Sequence, residues 1–111
     1  MSKRQSSLLL EDIIDSGKKI LLYTEGFSFE EFTMDSKTID AVIRNFEIIG
    51  EDANRLPEDF KEVHSKIDWH RIKGFRNRIV HDYMGIDYGI VWEIKSNFLP
   101  QLISDLKTIR G

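Results

Sequence analysis

The sequence predicts an all-α domain: a compact bundle of four main helices plus one or two short ones. Three observations lead there. Apolar residues recur at three- and four-residue spacing through most of the chain, strict apolar–polar alternation is absent, and only two prolines interrupt 111 residues. That length supports one hydrophobic core, so residues 1–111 are read as a single domain.

The first helix carries Leu10, Ile13, Ile14, Gly17, Ile20, Leu21 and Thr24 on one stripe. Gly26 follows, where a helix end favours a residue tolerant of positive φ. Ser28-Phe29-Glu30-Glu31 has capping-box spacing and announces a short second helix. Ser36 is placed as the cap of a third helix running to about Leu56, because Pro57 disfavours helical geometry at the residue before it. Its stripe is Ile39, Val42, Ile43, Phe46, Ile49, Gly50 and Ala53. A mid-helix glycine costs about 1 kcal/mol against alanine, so Gly50 implies close approach by another backbone. The opposite face holds Asp40, Arg44, Glu47, Glu51 and Arg55, with Asp40–Arg44 and Glu51–Arg55 at the i,i+4 spacing of helical ion pairs. A solvated ladder of charges and a functional face are both open there.

Pro57 to Ser65 is a short turn of helix in this reading. Asp68 then caps a fourth helix from Trp69 to about Asp82, with Ile72, Phe75 and Ile79 inward, and Gly85 breaks it. A last helix begins near Asp87 with Val91, Ile94, Phe98, Leu102, Leu106 and Ile109 on one stripe. Pro100 interrupts its hydrogen bonding, yet the stripe holds its phase, which predicts a kink and not a break.

Composition removes several function classes. Without cysteine there is no disulfide framework, no thiol catalysis and no zinc site built on sulfur. Three histidines argue against a dedicated structural metal, and no cofactor is expected. The apolar run Ile20-Leu21-Leu22-Tyr23 is far short of a bilayer span, and Leu8-Leu9-Leu10 is too short for a secretory leader. The expected address is cytoplasmic, with no membrane partner.

The net charge of −3 speaks against nucleic acid until its distribution is read. Between Lys61 and His81 lie six cations (Lys61, Lys66, Arg71, Lys73, Arg76, Arg78) and two anions (Glu62, Asp68), so this segment carries +4 and the remainder −7. His64, His70 and His81, all the histidines of the chain, fall in it too. An accidental basic patch would account for the charge alone. The coincidence of both features favours a site for a phosphate-bearing partner.

Within that segment the string Arg76-Asn77-Arg78-Ile79-Val80-His81-Asp82-Tyr83 holds the chemistry. Histidine exchanges protons near neutrality, and arginine forks onto phosphate oxygens. Together they are the minimum for cutting RNA without a metal, with acid–base assistance worth ~10²–10⁴ in rate. On a regular helix Arg76 and His81 point roughly 140° apart, whereas Asn77 and His81 share a face. One copy therefore makes an imperfect pocket for a phosphate, and two copies around a two-fold axis make a better one. His64 and His70 read as surface residues, Trp69 and Trp92 as core or interface anchors, and Tyr88 as packing.

The same string resembles the Arg-x-x-x-x-His-x-Tyr motif of the HepT-like proteins, a bacterial and archaeal branch of the HEPN superfamily of small helical ribonucleases. Tyr23-Thr24-Glu25-Gly26 with Phe29-Glu30-Glu31-Phe32 is similar to the family's first inter-helix turn. Ala41 to Glu51 is similar to its long second core helix, and Asp68-Trp69, Gly74, Ile90-Val91-Trp92 and Leu99-Pro100 extend the likeness from about Leu8 to Leu106. Asp52 is a minor departure, since small or uncharged residues are more usual there.

The resemblance implies an HEPN-like homodimer acting as the toxin of a type VII-like toxin–antitoxin module. It implies a metal-independent endoribonuclease with Arg76 and His81 as catalytic residues at a dimer cleft and Asn77 as a supporting polar group. A minimal nucleotidyltransferase antitoxin would silence it by transferring AMP from ATP onto Tyr83, placing bulk and negative charge where substrate phosphate must sit. The alternative is a non-catalytic helical binding partner of a nucleotidyltransferase. A purely structural helical dimer would leave the basic, histidine-bearing segment without a purpose.

Overall fold

In the computed structural model, which describes residues 3–81 and 85–111, nearly all of the chain is helical. The first helix, α1 (Lys3–Thr24), buries Leu10, Ile13, Ile14, Gly17, Ile20 and Thr24, the stripe expected from spacing. Gly26 follows at φ +81, the left-handed conformation that glycine adopts without cost. The short α2 (Phe29–Thr33) begins with a complete capping box: Glu31 N–H donates to Ser28 Oγ at 3.1 Å, and Ser28 N–H donates to Glu31 Oε1 at 2.9 Å. Those bonds hold the Glu31 carboxyl below its usual range.

The cap of α3 (Ser36–Arg55) is Asp35, one residue before the expected Ser36. Its carboxylate accepts from Thr38 N–H at 3.1 Å, the stronger of the two available caps because it carries charge at a helix N-terminus. Leu56 is extended ahead of Pro57, as the proline requires. α1 and α3 share the most extensive contact in the molecule and form the centre of the core with Val42, Phe46, Ile49 and Ala53. The i,i+4 pairs expected on the outer face of α3 are not among the ion pairs of the described residues, where one pair spans seven positions and the other three. Arg44 lies 3.9 Å from Glu51, and Arg55 lies 3.9 Å from Asp52.

After α4 (Glu58–Val63), Asp68 caps α5 (Trp69–Lys73) by accepting from Arg71 N–H at 3.0 Å. A methyl built on Gly50 would stand 3.6 Å from the carbonyl oxygens of Ile72 and Lys73, so this glycine does receive another backbone. The predicted continuous helix to Asp82 is not found. Gly74 separates α5 from α6 (Phe75–Ile79), and the chain then turns extended. Val80–His81 (β1) pairs antiparallel with Gly85–Ile86 (β2), Val80 opposite Ile86 and His81 opposite Gly85. The adjacent β-branched Ile79 and Val80 weaken the helix only modestly, and the packing of an extended Val80 against the core decides the turn. An extended Val80 turns toward the core while His81 turns to solvent. Gly85 holds φ +76.

The C-terminal third is helical from Tyr88 to Arg110 as α7 (Tyr88–Glu93), a π-helical turn (Ile94–Phe98) and α8 (Leu99–Arg110). Helical geometry thus continues through the proline, but the stripe does not keep its phase. Leu99 N–H donates to Ile94 O, five residues back, which inserts one residue into the turn. Pro100 has no N–H to offer, and the widened turn relieves its ring from the preceding carbonyls. Buried positions therefore run Val91, Ile94, Leu99, Leu102, Ile103 and Leu106, and Phe98 moves to the flank. There it meets Phe75 edge-on at 5.6 Å and lies beneath the Arg71 guanidinium at 3.9 Å. A methyl on Gly17 would stand 3.0 Å from Ile103 Cγ1, which is how closely α8 approaches α1.

Candidate functional site

Three elements meet at the basic segment: α3, α6 and the β1–β2 pair leading into α7. α6 is anchored by Phe75 and Ile79, both buried, with Phe75 packed edge-on against Phe46 of α3 at 5.4 Å. That anchoring turns Arg76, Asn77 and Arg78 to the surface. Arg76 Nε lies 4.0 Å from Glu47 Oε2 of α3, so Glu47 belongs to this site and not to a merely solvated ladder.

His81 leaves the helix and stands on β1, its side chain 46% exposed. The expected angle between Arg76 and His81 on one helix, and the shared face of Asn77 and His81, therefore do not apply. The extended backbone sends Val80 inward and His81 outward, and Gly85 opposite His81 has no side chain to crowd it. Across the pair, His81 Nε2 lies 3.6 Å from Asp87 Oδ2. Asp87 is tied down twice more. Its Oδ1 accepts from Ile90 N–H at 3.1 Å as the cap of α7, and its own N–H donates to Ile79 O at 2.7 Å.

Other cations of the segment are spent elsewhere. Lys61 pairs with Glu58 at 3.5 Å, Lys66 pairs with Asp105 at 3.3 Å, and Arg71 covers Phe98. Lys73 and Arg78 are exposed and have no ion-pair partner among the described residues.

The other aromatic and histidine expectations resolve into packing. His70 is exposed, while His64 is half-buried against the Phe60 ring at 4.6 Å. Trp69 Nε1 donates to His64 O at 3.0 Å, Trp92 packs on Phe32 at 5.1 Å, and Tyr88 meets Phe32 edge-on at 6.4 Å. Tyr83 lies outside the described residues, so its expected role stands on sequence. Among the described residues no group of three or more His, Asp or Glu is placed to hold a metal ion. No described helix is long and apolar enough to cross a membrane.

Sequence reasoning missed Glu47 and Asp87 as members of the site. Asp87 was legible as the start of the last helix, but its approach to His81 depends on a strand pair that the helical reading concealed. Glu47 lies on the right face of α3, yet nothing in its spacing reveals that α6 docks there.

Comparison with known proteins supplies the family. The family model for ribonuclease HepT-like proteins matches residues 13–109. The chain belongs to the HepT-like ribonuclease family. A Methanocaldococcus jannaschii protein provisionally named an RNase is 38% identical over 109 residues, covering 98% of this chain and 90% of its own length. A Caldanaerobacter subterraneus protein, also provisionally named an RNase, is 38% identical over 100 residues, 90% of this chain and 89% of that one. The probable ribonuclease HepT of Thermococcus cleftensis is 36% identical over 108 residues, 97% and 98% of the two chains. No solved structure gives a significant match.

Proposed function

We propose that this chain is a metal-independent endoribonuclease acting as a homodimer, with Arg76 and His81 as its catalytic residues. The observation that carries the reading is the surface itself: Arg76 and His81 are both exposed, each faced by a carboxylate, and Lys73 and Arg78 have no ion-pair partner among the described residues. The reaction needs no co-reactant. The RNA 2′-oxygen forms a bond to phosphorus as one imidazole takes its proton. The P–O5′ bond breaks as an imidazolium returns a proton to the leaving oxygen, giving a 2′,3′-cyclic phosphate and a 5′-hydroxyl. Arg76 offsets the charge gathering on the phosphate oxygens, and Asn77 is a supporting donor. Two imidazoles, one per protomer, supply separate base and acid.

Control follows the same reading. A minimal nucleotidyltransferase antitoxin places AMP from ATP on Tyr83, two residues beyond His81 in sequence, and the added phosphate repels the substrate backbone. The chain is then the toxin of a type VII-like module in the cytoplasm.

The test is incubation of purified protein with RNA in excess EDTA. Cleavage leaving cyclic or 3′-phosphate ends is expected, falling at least a hundredfold in His81→Ala and in Arg76→Ala. Wild type and His81→Ala leaving RNA equally intact would transfer the case to a non-catalytic partner of the transferase. Mass spectrometry after incubation with transferase and ATP should find AMP on Tyr83, and its appearance on Tyr88 would refute that assignment.

A further inference from the structure

We infer that Asp87 is a positioning residue for His81, an inference that rests on the ribonuclease reading of the same site. Its carboxylate is divided between two tasks. Oδ1 caps α7 through Ile90 N–H at 3.1 Å, while Oδ2 faces His81 Nε2 at 3.6 Å. The second distance exceeds a hydrogen bond, so the carboxylate acts on the ring as a nearby charge.

The backbone makes this pairing reproducible. The N–H of Asp87 donates to Ile79 O at 2.7 Å, extending the ladder in which His81 faces Gly85. Residues two apart on a strand share a face, so Asp87 stands on the same side as Gly85, diagonally across from His81. The glycine leaves the space between them open. Asp87 is also the only ionisable group paired with His81 among the described residues.

The chemical consequence is an assignment of nitrogens. A carboxylate facing Nε2 favours the tautomer with its proton there, leaving Nδ1 as the free base that faces RNA. When Nδ1 takes the 2′-hydroxyl proton, the new positive charge lies beside Oδ2. In the acid role the same contact holds the imidazolium until Nδ1 gives its proton to the 5′-oxygen. Asp87 touches neither substrate nor phosphate. It acts through the ring.

Two substitutions separate this role from helix capping. Asparagine and serine both cap helices well, so Asp87→Asn and Asp87→Ser should melt within a few degrees of wild type. Neither presents a carboxylate to the ring. Both should lower kcat on the order of tenfold or more with KM little changed. In the protein without RNA, ¹⁵N-resolved ring spectra should show the ring proton of His81, held on Nε2 in the wild type, spreading over the two nitrogens in both variants. Wild-type kcat in Asp87→Asn would overturn the inference, as would a His81 ring spectrum unaltered by the substitution. Activity lost only in step with melting temperature would reduce Asp87 to a cap. If wild-type protein does not cut RNA at all, the ribonuclease reading fails, and the ring spectra still decide whether Asp87 governs the imidazole.

Discussion

Asp52 departs from the small or uncharged residue expected at its position, and its surroundings give that departure a cost. It lies on α3 facing α1, only 4% exposed, with Oδ2 buried and without a hydrogen-bond partner among the described residues. Burial pushes its carboxyl up to about 7, Asp12 adds to the rise by hydrogen bonding and charge, and Arg55 opposes it. Unfolded, the group titrates near 3.8. Below about pH 4 it is protonated in both states, and its relative stability is fully present. As pH climbs toward 7 only the folded state retains the proton, so stability declines, and above 7 the whole penalty of a buried anion beside Asp12 applies. Asp52→Asn should therefore raise the melting temperature by roughly a few degrees at pH 8 and by little at pH 4. Calorimetry at the two pH values checks this, and an equal gain at both would show that charge is not the cause.

At the scale of elements, docking of α5 on α3 decides where Arg76 stands, and Gly50 lies at that contact. The carbonyls of Ile72 and Lys73 are 3.6 Å from a hypothetical Cβ, an ordinary contact distance. A methyl fits there, and alanine is favoured over glycine inside a helix by up to about 1 kcal/mol. Gly50→Ala should leave activity intact and hold or raise the melting temperature. Gly50→Leu should lower both, because α5 must move and it carries α6 with it. Thermal melts and RNA cleavage on the two variants measure this directly. The close approach was legible in the sequence because a glycine on an apolar stripe has few other uses. The stripes of α1 and α3 were equally legible, since unbroken periodicity over five turns or more admits one solution. Two features were not. The end of α6 at Ile79 depends on Val80 gaining burial by becoming extended, a tertiary preference that helical spacing cannot display. The π turn arises from one missing N–H at Pro100, and an inserted residue shifts the buried set from Phe98 to Leu99 without altering composition. Arg76 and His81 are proposed on chemistry readable in the sequence, whereas their carboxylate neighbours Glu47 and Asp87 required the packing.

For the whole molecule the question is how many chains complete one site. A single protomer presents Arg76 and His81 on open surface with side chains 56% and 46% exposed, so no described residue of that chain excludes water from a phosphate seated there. Charge stabilisation by a guanidinium is weak in such surroundings and much stronger when a second wall lowers the local dielectric. A two-fold copy would provide the wall, and the shared cleft would contain two guanidiniums and two imidazoles. This has a direct consequence for mixed dimers. Arg76→Ala and His81→Ala homodimers each lack one kind of group entirely and should be inactive. Refolded together and isolated through two different tags, the mixed dimer keeps one Arg76 and one His81 across the same cleft. It should regain a measurable fraction of wild-type cleavage, above the sum of the two parents. If instead each protomer held a self-contained site, the mixed dimer would contain no intact pair and would stay as inactive as its parents. A solution mass equal to one chain at assay concentration would remove the shared cleft altogether.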